Sequence, residues 1–427
     1  MNRSSPVFTI LLLLCGSLSG ACAEETLTWD DCLAEAKKNN PALISAAEGI
    51  KQQKAGKAIA ASSFYPQINA SADGSTLKRD SGDSGSSTTS DSYSYGVSGS
   101  QLVFDGFKTL NDAKAASQNI NAAKENYRFT SSEVRLNLRN AFINLLKAQE
   151  LVRVAEEILK IRRDDFELIT LRYESGLEHK GALLTSEANL AQADLELMQA
   201  RRDIEFAQRQ LTQQLGRTEF RPMYVKADFT VLERARENPD FEAIVKNNPS
   251  LLQAMAKKNV ANYGIKSAYG NFSPTLSGNV GTSRSGEHWP PDEDQWNTGL
   301  SVSMPIFEGG LRLAQVSQAK AAFAQARENE RSTRDTAIVS LADTWTGLQD
   351  ALDTVEVRRK QLEATEVRSK IAEAQYSTGF ISFDNWIIIE NNLVTAKRSY
   401  LESQANALYT EASWIQAKGE TLEYAQK

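Results

Sequence analysis

Between Phe104-Asp105-Gly106 and Glu174-Ser175-Gly176 runs a stretch, Phe107 to Tyr173, that contains neither Gly nor Pro. Leu138, Leu145, Val152, Leu159 and Phe166 recur along it at every seventh residue, with Ala141, Ala148 and Ala155 three residues after the first three. Sustained seven-residue apolar spacing specifies a helix whose seam faces a partner, as in a coiled coil. At 1.5 Å per residue this helix spans roughly 100 Å, about three times the width of a small domain. A globular core has no need of such a rod.

The rod has a copy. Adding 203 to the seam positions gives Leu341, Leu348, Val355 and Leu362, with only Ser369 breaking the series. Phe307-Glu308-Gly309 repeats the opening punctuation, and Tyr376-Ser377-Thr378-Gly379 repeats Tyr173-Glu174-Ser175-Gly176. The copy also carries Gly310 and Gly347. Chance similarity between two Ala- and Glu-rich helices would not preserve the brackets, so the chain contains a duplicated unit.

Composition narrows the function. Charged residues are 24% of 427 and the net charge is −6, which argues against wholesale nucleic-acid binding. The two histidines, His179 and His288, have no companions at metal-ligand spacing. Cys15 and Cys22 lie in a leader and Cys32 just after it, so neither a disulfide framework nor a thiolate metal site is expected. No nucleophile elbow or phosphate loop occurs, so no catalytic residue and no cofactor is expected.

Residues 1–23 read as a secretory signal: Arg3, an apolar core from Val7 to Leu14, and Ala21-Cys22-Ala23 as cleavage site. Lipoprotein processing at Cys22 ranks second, because Ser19 stands where such signals usually carry Leu. No later stretch has the run of about 18 apolar residues that a transmembrane helix requires.

The first repeat is assigned to residues 24–216. Thr28 caps a short helix, and Asn40-Pro41 stops it and starts another. After Pro66 the pattern alternates, with Gln67, Asn69 and Ser71 on one side and Ile68, Ala70 and Ala72 on the other. Asp73 to Ser92 reads as a long polar loop, and alternation resumes at Tyr93, Tyr95 and Val97. Behind the rod, Leu183, Leu190, Leu197, Ile204 and Leu211 carry a returning seam, making an antiparallel hairpin. Residues 217–248 read as a linker with a small packed belt.

The second repeat, 249–417, replays the order. Its loop is placed at Ser283 to Asp294. Leu276, Gly278, Val280, Trp296, Leu300 and Val302 lie on one strand face; Ser277, Asn279, Asn297, Ser301 and Ser303 lie on the other. The returning seam is Trp386, Leu393, Tyr400, Ala407 and Trp414. The tail, 418–427, is polar and is expected to be disordered.

The fold class that follows is mainly α, with long antiparallel coiled-coil hairpins and a membrane β-barrel portion. Four strands of about ten residues match the length of a tilted membrane strand. A sheet cannot keep open edges in a bilayer, and a barrel needs at least eight strands. Two chains would give a barrel packed with side chains, three a barrel of twelve with room for water. The Ser, Asn, Gln and Gly face suits a wet lumen, which favours three. Tyr93, Tyr95, Val97, Trp296, Leu300 and Val302 are then the lipid-facing set, the aromatics forming a girdle. A soluble β-sandwich would not leave so plainly polar an opposite face.

The motif from Leu27 to Leu33 with Asn40-Pro41, the Phe104-Asp105-Gly106 entry to a long helix, and Tyr-x-x-Gly at both hairpin turns resemble the TolC family of outer-membrane efflux proteins. The resemblance covers essentially all of the chain after the leader. It implies a homotrimer in the outer membrane extending into the periplasm, with a twelve-strand barrel continued by an α-helical barrel. It further implies a passive exit duct for an inner-membrane transporter and its periplasmic adaptor, in drug efflux or type I secretion. Where many members carry Asp six residues past the hairpin Gly, and some an acid three further on, this chain has Ala182 and Thr185, then Asn385 and Ile388. Asp384 sits one residue early.

The hairpin tips are the leading candidate sites: Tyr173, Gly176 and Leu177 in one, Tyr376, Gly379 and Phe380 in the other. The resemblance implies adaptor docking there, with Asp384 and Asn385 near the periplasmic entrance. Leu177 and Phe380 would otherwise cap their own helix pairs, His179 would be a solvated turn residue, and Asp384 and Glu390 ordinary surface acids. The rival function is a soluble periplasmic coiled-coil adaptor or scaffold.

Overall fold

The computed structural model describes residues 25–81, 86–231 and 239–423. The signal segment, Cys22, Leu232 of the linker and the last four residues of the tail lie outside the described residues. In chain order the elements are β1 (Glu25–Leu27), α1 (Trp29–Asn39), α2 (Pro41–Ala61), β2 (Gln67–Ser81), β3 (Ser86–Phe104), α3 (Lys108–Glu174) and α4 (Lys180–Leu215). There follow β4 (Met223–Val225), α5 (Phe241–Val245), α6 (Pro249–Gly270), β5 (Thr275–Gly286), β6 (Glu293–Ser303), α7 (Leu311–Ser377) and α8 (Phe383–Ala417).

The rods α3 and α7 are each 67 residues long. Each pairs with the helix that follows it, and α3 also runs against α8, so the two hairpins share a wall. Leu138, Leu145, Leu341 and Leu348 are wholly buried, each contributing about 1.5–3 kcal/mol of burial. Ser369, the break in the seam, is buried as well; its Oγ donates to Glu390 Oε1 at 2.6 Å. Gly310 lies outside the rod's regular turns, as the left-handed N-cap of α7 at φ +86°.

Each repeat is closed by the same latch. Asn40 Oδ1 caps α2 by accepting from the Ala42 N–H at 3.0 Å, while its Nδ2 donates to the Gln214 carbonyl at 2.9 Å. Asn248 caps α6 through the Ser250 N–H at 2.9 Å and donates to the Ala417 carbonyl at 3.2 Å. One side chain thus starts a helix and ties down the end of the returning one. Gly216 and Gly419 make this possible: both have positive φ, and a Cβ would stand 2.3 Å from the Asn39 carbonyl oxygen or 2.4 Å from Pro249 Cδ.

Two short strands escaped the sequence reading. β1 pairs in parallel with β4, three residues each, too short to show alternation. Gln149 clamps Val225 through both its N–H and its carbonyl, each at 2.9 Å, fixing the linker onto α3. Arg217 bridges Glu25 and Glu35. The expectation of a disordered tail fails over residues 418–423. Leu422 is buried in the core and its N–H donates to Ser131 Oγ, while Arg135 donates to the Thr421 carbonyl.

The remaining strands form one antiparallel sheet in the order β2-β3-β5-β6. Both expected loops are shorter than the polar composition suggested. β2 continues to Ser81 and β3 begins at Ser86, while β5 continues to Gly286 and β6 begins at Glu293. Ser, Thr, Gly and Asp runs read as loop, but their backbone can still form a ladder across the hairpin: Lys78 sits opposite Thr89 and Ser75 opposite Ser92. Thr76 Oγ1 donates to Asp91 Oδ1 at 2.7 Å, a side-chain bond on top of the ladder.

Candidate functional site

Register settles which sheet residues share a face. Asn69, Ser98, Gly281 and Asn297 make one row across all four strands. The next row, on the opposite face, is Ala70, Val97, Thr282 and Trp296. Leu300 stands opposite Gly278 and Val302 opposite Leu276, so Tyr93, Tyr95, Val97, Trp296, Leu300 and Val302 all lie on the apolar side. A bulge between Leu102 and Phe104 brings Phe104, rather than Val103, opposite Leu276.

Among the described residues nothing covers this apolar side. Leu300 is 78% exposed. At its distal end Tyr93 and Tyr95 stand edge-on to Trp289, 6.3 and 6.1 Å away. At the end nearer the helices Phe64, Tyr65, Phe272 and Phe307 are exposed, a second aromatic group that the sequence reading missed. The signal was there: each borders a strand beside Pro66, Pro274 or Pro305. Among the described residues no helix is long and apolar enough to cross a membrane.

At the other end of the rods, the chain reverses through Gly176 at φ +72° and Gly379 at φ +79°, the left-handed turn expected of both. Leu177 and Phe380 project beside them, 68% and 82% exposed. His179 is more than a solvated turn residue: its Nδ1 caps α4 by accepting from the Ala182 N–H at 3.1 Å. Ser382 caps α8, leaving Asp384 and Asn385 exposed in its first turn.

Tyr376 does not belong to the exposed tip surface. It is 1% exposed, stacked on Trp386 with ring centroids 4.5 Å apart and planes within 3°. Its hydroxyl donates to Glu178 Oε2 of the other tip at 2.6 Å. Arg172 lies over the same ring at 4.7 Å. Burial, then the Glu178 carboxylate, push the Tyr376 phenol well above its ordinary range, so this donor keeps its proton. Tyr173 is 38% exposed and has no such setting.

Glu390 is not a surface acid. It is buried, together with Arg162, Asp165 and Ser369, where α3 meets α7 and α8. The buried face of α3 near the tip includes Ile158, Arg162, Asp165 and Ile169; of the seven-residue seam there, Leu159 is buried with them and Phe166 is half-buried. Two charged residues inside an apolar stripe were the available signal.

The sequence profile of the family described as "Outer membrane efflux protein" matches residues 32–217 and 242–420, two blocks that follow the two repeats. The chain belongs to that family. Among its relatives, the outer membrane efflux protein BepC of Brucella suis is 25% identical over 96% of this chain and 89% of its own length. The outer membrane protein TolC of Escherichia coli is 24% identical over 75% of this chain and 68% of its own. The crystal structure of the outer membrane protein VceC from Vibrio cholerae superposes with a TM-score of 0.78 at 18% identity, covering 92% of this chain and 96% of that one. The chain is an outer-membrane efflux protein with the fold of these channels, and the soluble-scaffold alternative is set aside.

Proposed function

We propose that three copies of this exit duct close one twelve-strand barrel, with the Val97, Leu300 and Val302 face in lipid and the Asn69, Ser98 and Ser301 face lining a water-filled lumen. The observation that carries it is the sheet itself, which ends on β2 and β6 with both outer edges unpaired among the described residues. A spanning sheet has to close, and four strands cannot close alone. From the Val302 row to the Trp296 row is six residues, roughly 20 Å along the strand, which at the usual tilt spans about 15 Å of the roughly 25 Å apolar band of such barrels.

The rods then line the way from the tips to the barrel. Gly176, Leu177, Gly379 and Phe380, flanked by Tyr173, form the surface on which a periplasmic adaptor docks. That adaptor connects the duct to an inner-membrane transporter, which chooses the cargo. Asp384 and Asn385 face the entrance.

Native mass spectrometry in detergent tests the assembly on wild type, Leu300→Arg and Ser301→Arg. The expected result is a wild-type trimer, retained by Ser301→Arg and weakened by about 2–4 kcal/mol in Leu300→Arg. A stable wild-type monomer with intact strands overturns the proposal. Equal tolerance of the two substitutions overturns the assignment of faces.

A further inference from the structure

The wall shared by the two hairpins contains an unbalanced set of buried charges. α3 contributes Arg162 and Asp165, α7 Ser369, and α8 Glu390; none is more than 9% exposed. Arg162 Nη2 donates to Asn391 Oδ1 at 2.5 Å, and Ser369 Oγ donates to Glu390 Oε1 at 2.6 Å. Arg162 Nη1 and Asp165 Oδ2 are 3.6 Å apart, too far for a hydrogen bond, and each lacks a hydrogen-bond partner. One guanidinium therefore faces two buried carboxylates. Burying an uncompensated charge is costly, and taking up one proton restores neutrality.

We propose that Asp165 and Glu390 form a proton-dependent joint between the two hairpins, in which one shared proton seals α3 against α7 and α8, and its loss loosens the wall just above the tips. Acid surroundings hold the joint shut and neutral surroundings release it. The consequence for opening, though not the joint itself, rests on the exit-duct reading.

The sign follows from the surroundings. Burial first, then the charge of Glu390, raise the Asp165 carboxyl to about 7, and burial also pushes Glu390 upward. The charged groups facing the pair are Arg162 from α3 and the exposed Glu373 from α7, whose negative charge pushes the same way. With the wall closed the pair holds a proton that it loses when the hairpins separate. Closure is therefore strongest toward pH about 4, weakens as pH rises, and levels off above about 7.

Hydrogen-exchange protection factors in the intact detergent-solubilised protein test the joint, read over residues 160–169 and 387–394 between mildly acid and neutral pH. Wild type is expected to lose protection there by up to about tenfold per pH unit. Asp165→Asn and Glu390→Gln, near-isosteric and one charge fewer, should stay protected and lose the pH dependence. Protection over residues 138–148 in the buried seam reports that each variant is folded. A flat wild-type profile, or variants that keep its slope, overturns the proposal. Conductance in planar bilayers, followed over the same pH range, separates joint from duct. Failure of wild type to form channels defeats the exit-duct reading while the exchange result still decides the joint. A conductance that ignores pH while protection follows it overturns the joint's role in opening.

Discussion

At the first tip Tyr173 is 38% exposed, whereas its counterpart 203 residues on, Tyr376, is 1% exposed beneath Trp386. The backbone is the same in both places: a rod ending on a residue in the αR region, then glycine in the left-handed region. What differs is the returning helix. α8 opens with Phe383 and Trp386, which pack around Tyr376; the matching positions of α4 are Lys180 and Leu183. The first tip consequently leans on the second, through Glu178 and Arg172, both of which reach Tyr376. Duplication kept the punctuation that turns a chain around and left the interior free to specialise.

The sharpest way to break this contrast is Trp386→Ala against Leu183→Ala. Removing the buried indole should cost about 3–5 kcal/mol, whereas the half-buried leucine should cost about 1–2 kcal/mol. Denaturant unfolding in detergent measures both, and equal losses would mean that the second tip is no more a core than the first.

A smaller effect sharpens it. Tyr376→Phe keeps the ring stack and deletes only the hydroxyl bonded to Glu178, so about 1.5–3 kcal/mol should go, while Tyr173→Phe should leave stability unchanged. Local exchange at the tips reads the difference. If Tyr376→Phe is silent, the tips are not tied through that bond.

The smallest stability effect is expected where function should suffer most. Leu177→Asp and Phe380→Asp lie on exposed ground and should move stability by less than about 0.5 kcal/mol while abolishing export. Thermal unfolding beside an export assay decides between docking and stapling. Export that falls only in step with lost assembly defeats the docking role.

The elements that were legible from sequence share one property: a pattern tied to a fixed backbone geometry. The Leu138 and Leu341 seams, the helix starts at Asn40-Pro41 and Asn248-Pro249, and the left-handed Gly176 and Gly379 turns all carry it. The strand faces were legible because Val97, Leu300 and Val302 alternate with small polar residues. Other features depended on pairing that composition hides. Asp73 to Ser81 looks like loop until β3 is placed opposite it. Glu390 lies on the buried face of α8, four residues after Trp386 and three before Leu393, so its place on the seam was legible; its charge, which usually marks a solvated position, hid its burial. Tyr376 was misplaced for a different reason. Its repeat partner is exposed, and only the aromatic residues of α8 make it otherwise.

The two unpaired edges of the four-stranded sheet also have a genetic consequence. If β2 of one copy completes its ladder only on β6 of the next, no copy can be inserted, repaired or lost on its own. A subunit that folds normally except at one edge would enter the ring and spoil its neighbours' closure. Such an allele would be dominant: a cell making both kinds of subunit in equal amounts would build few wholly sound ducts, and its phenotype would lie nearer the null than the average. A subunit that cannot fold at all would never join, and its allele would be recessive.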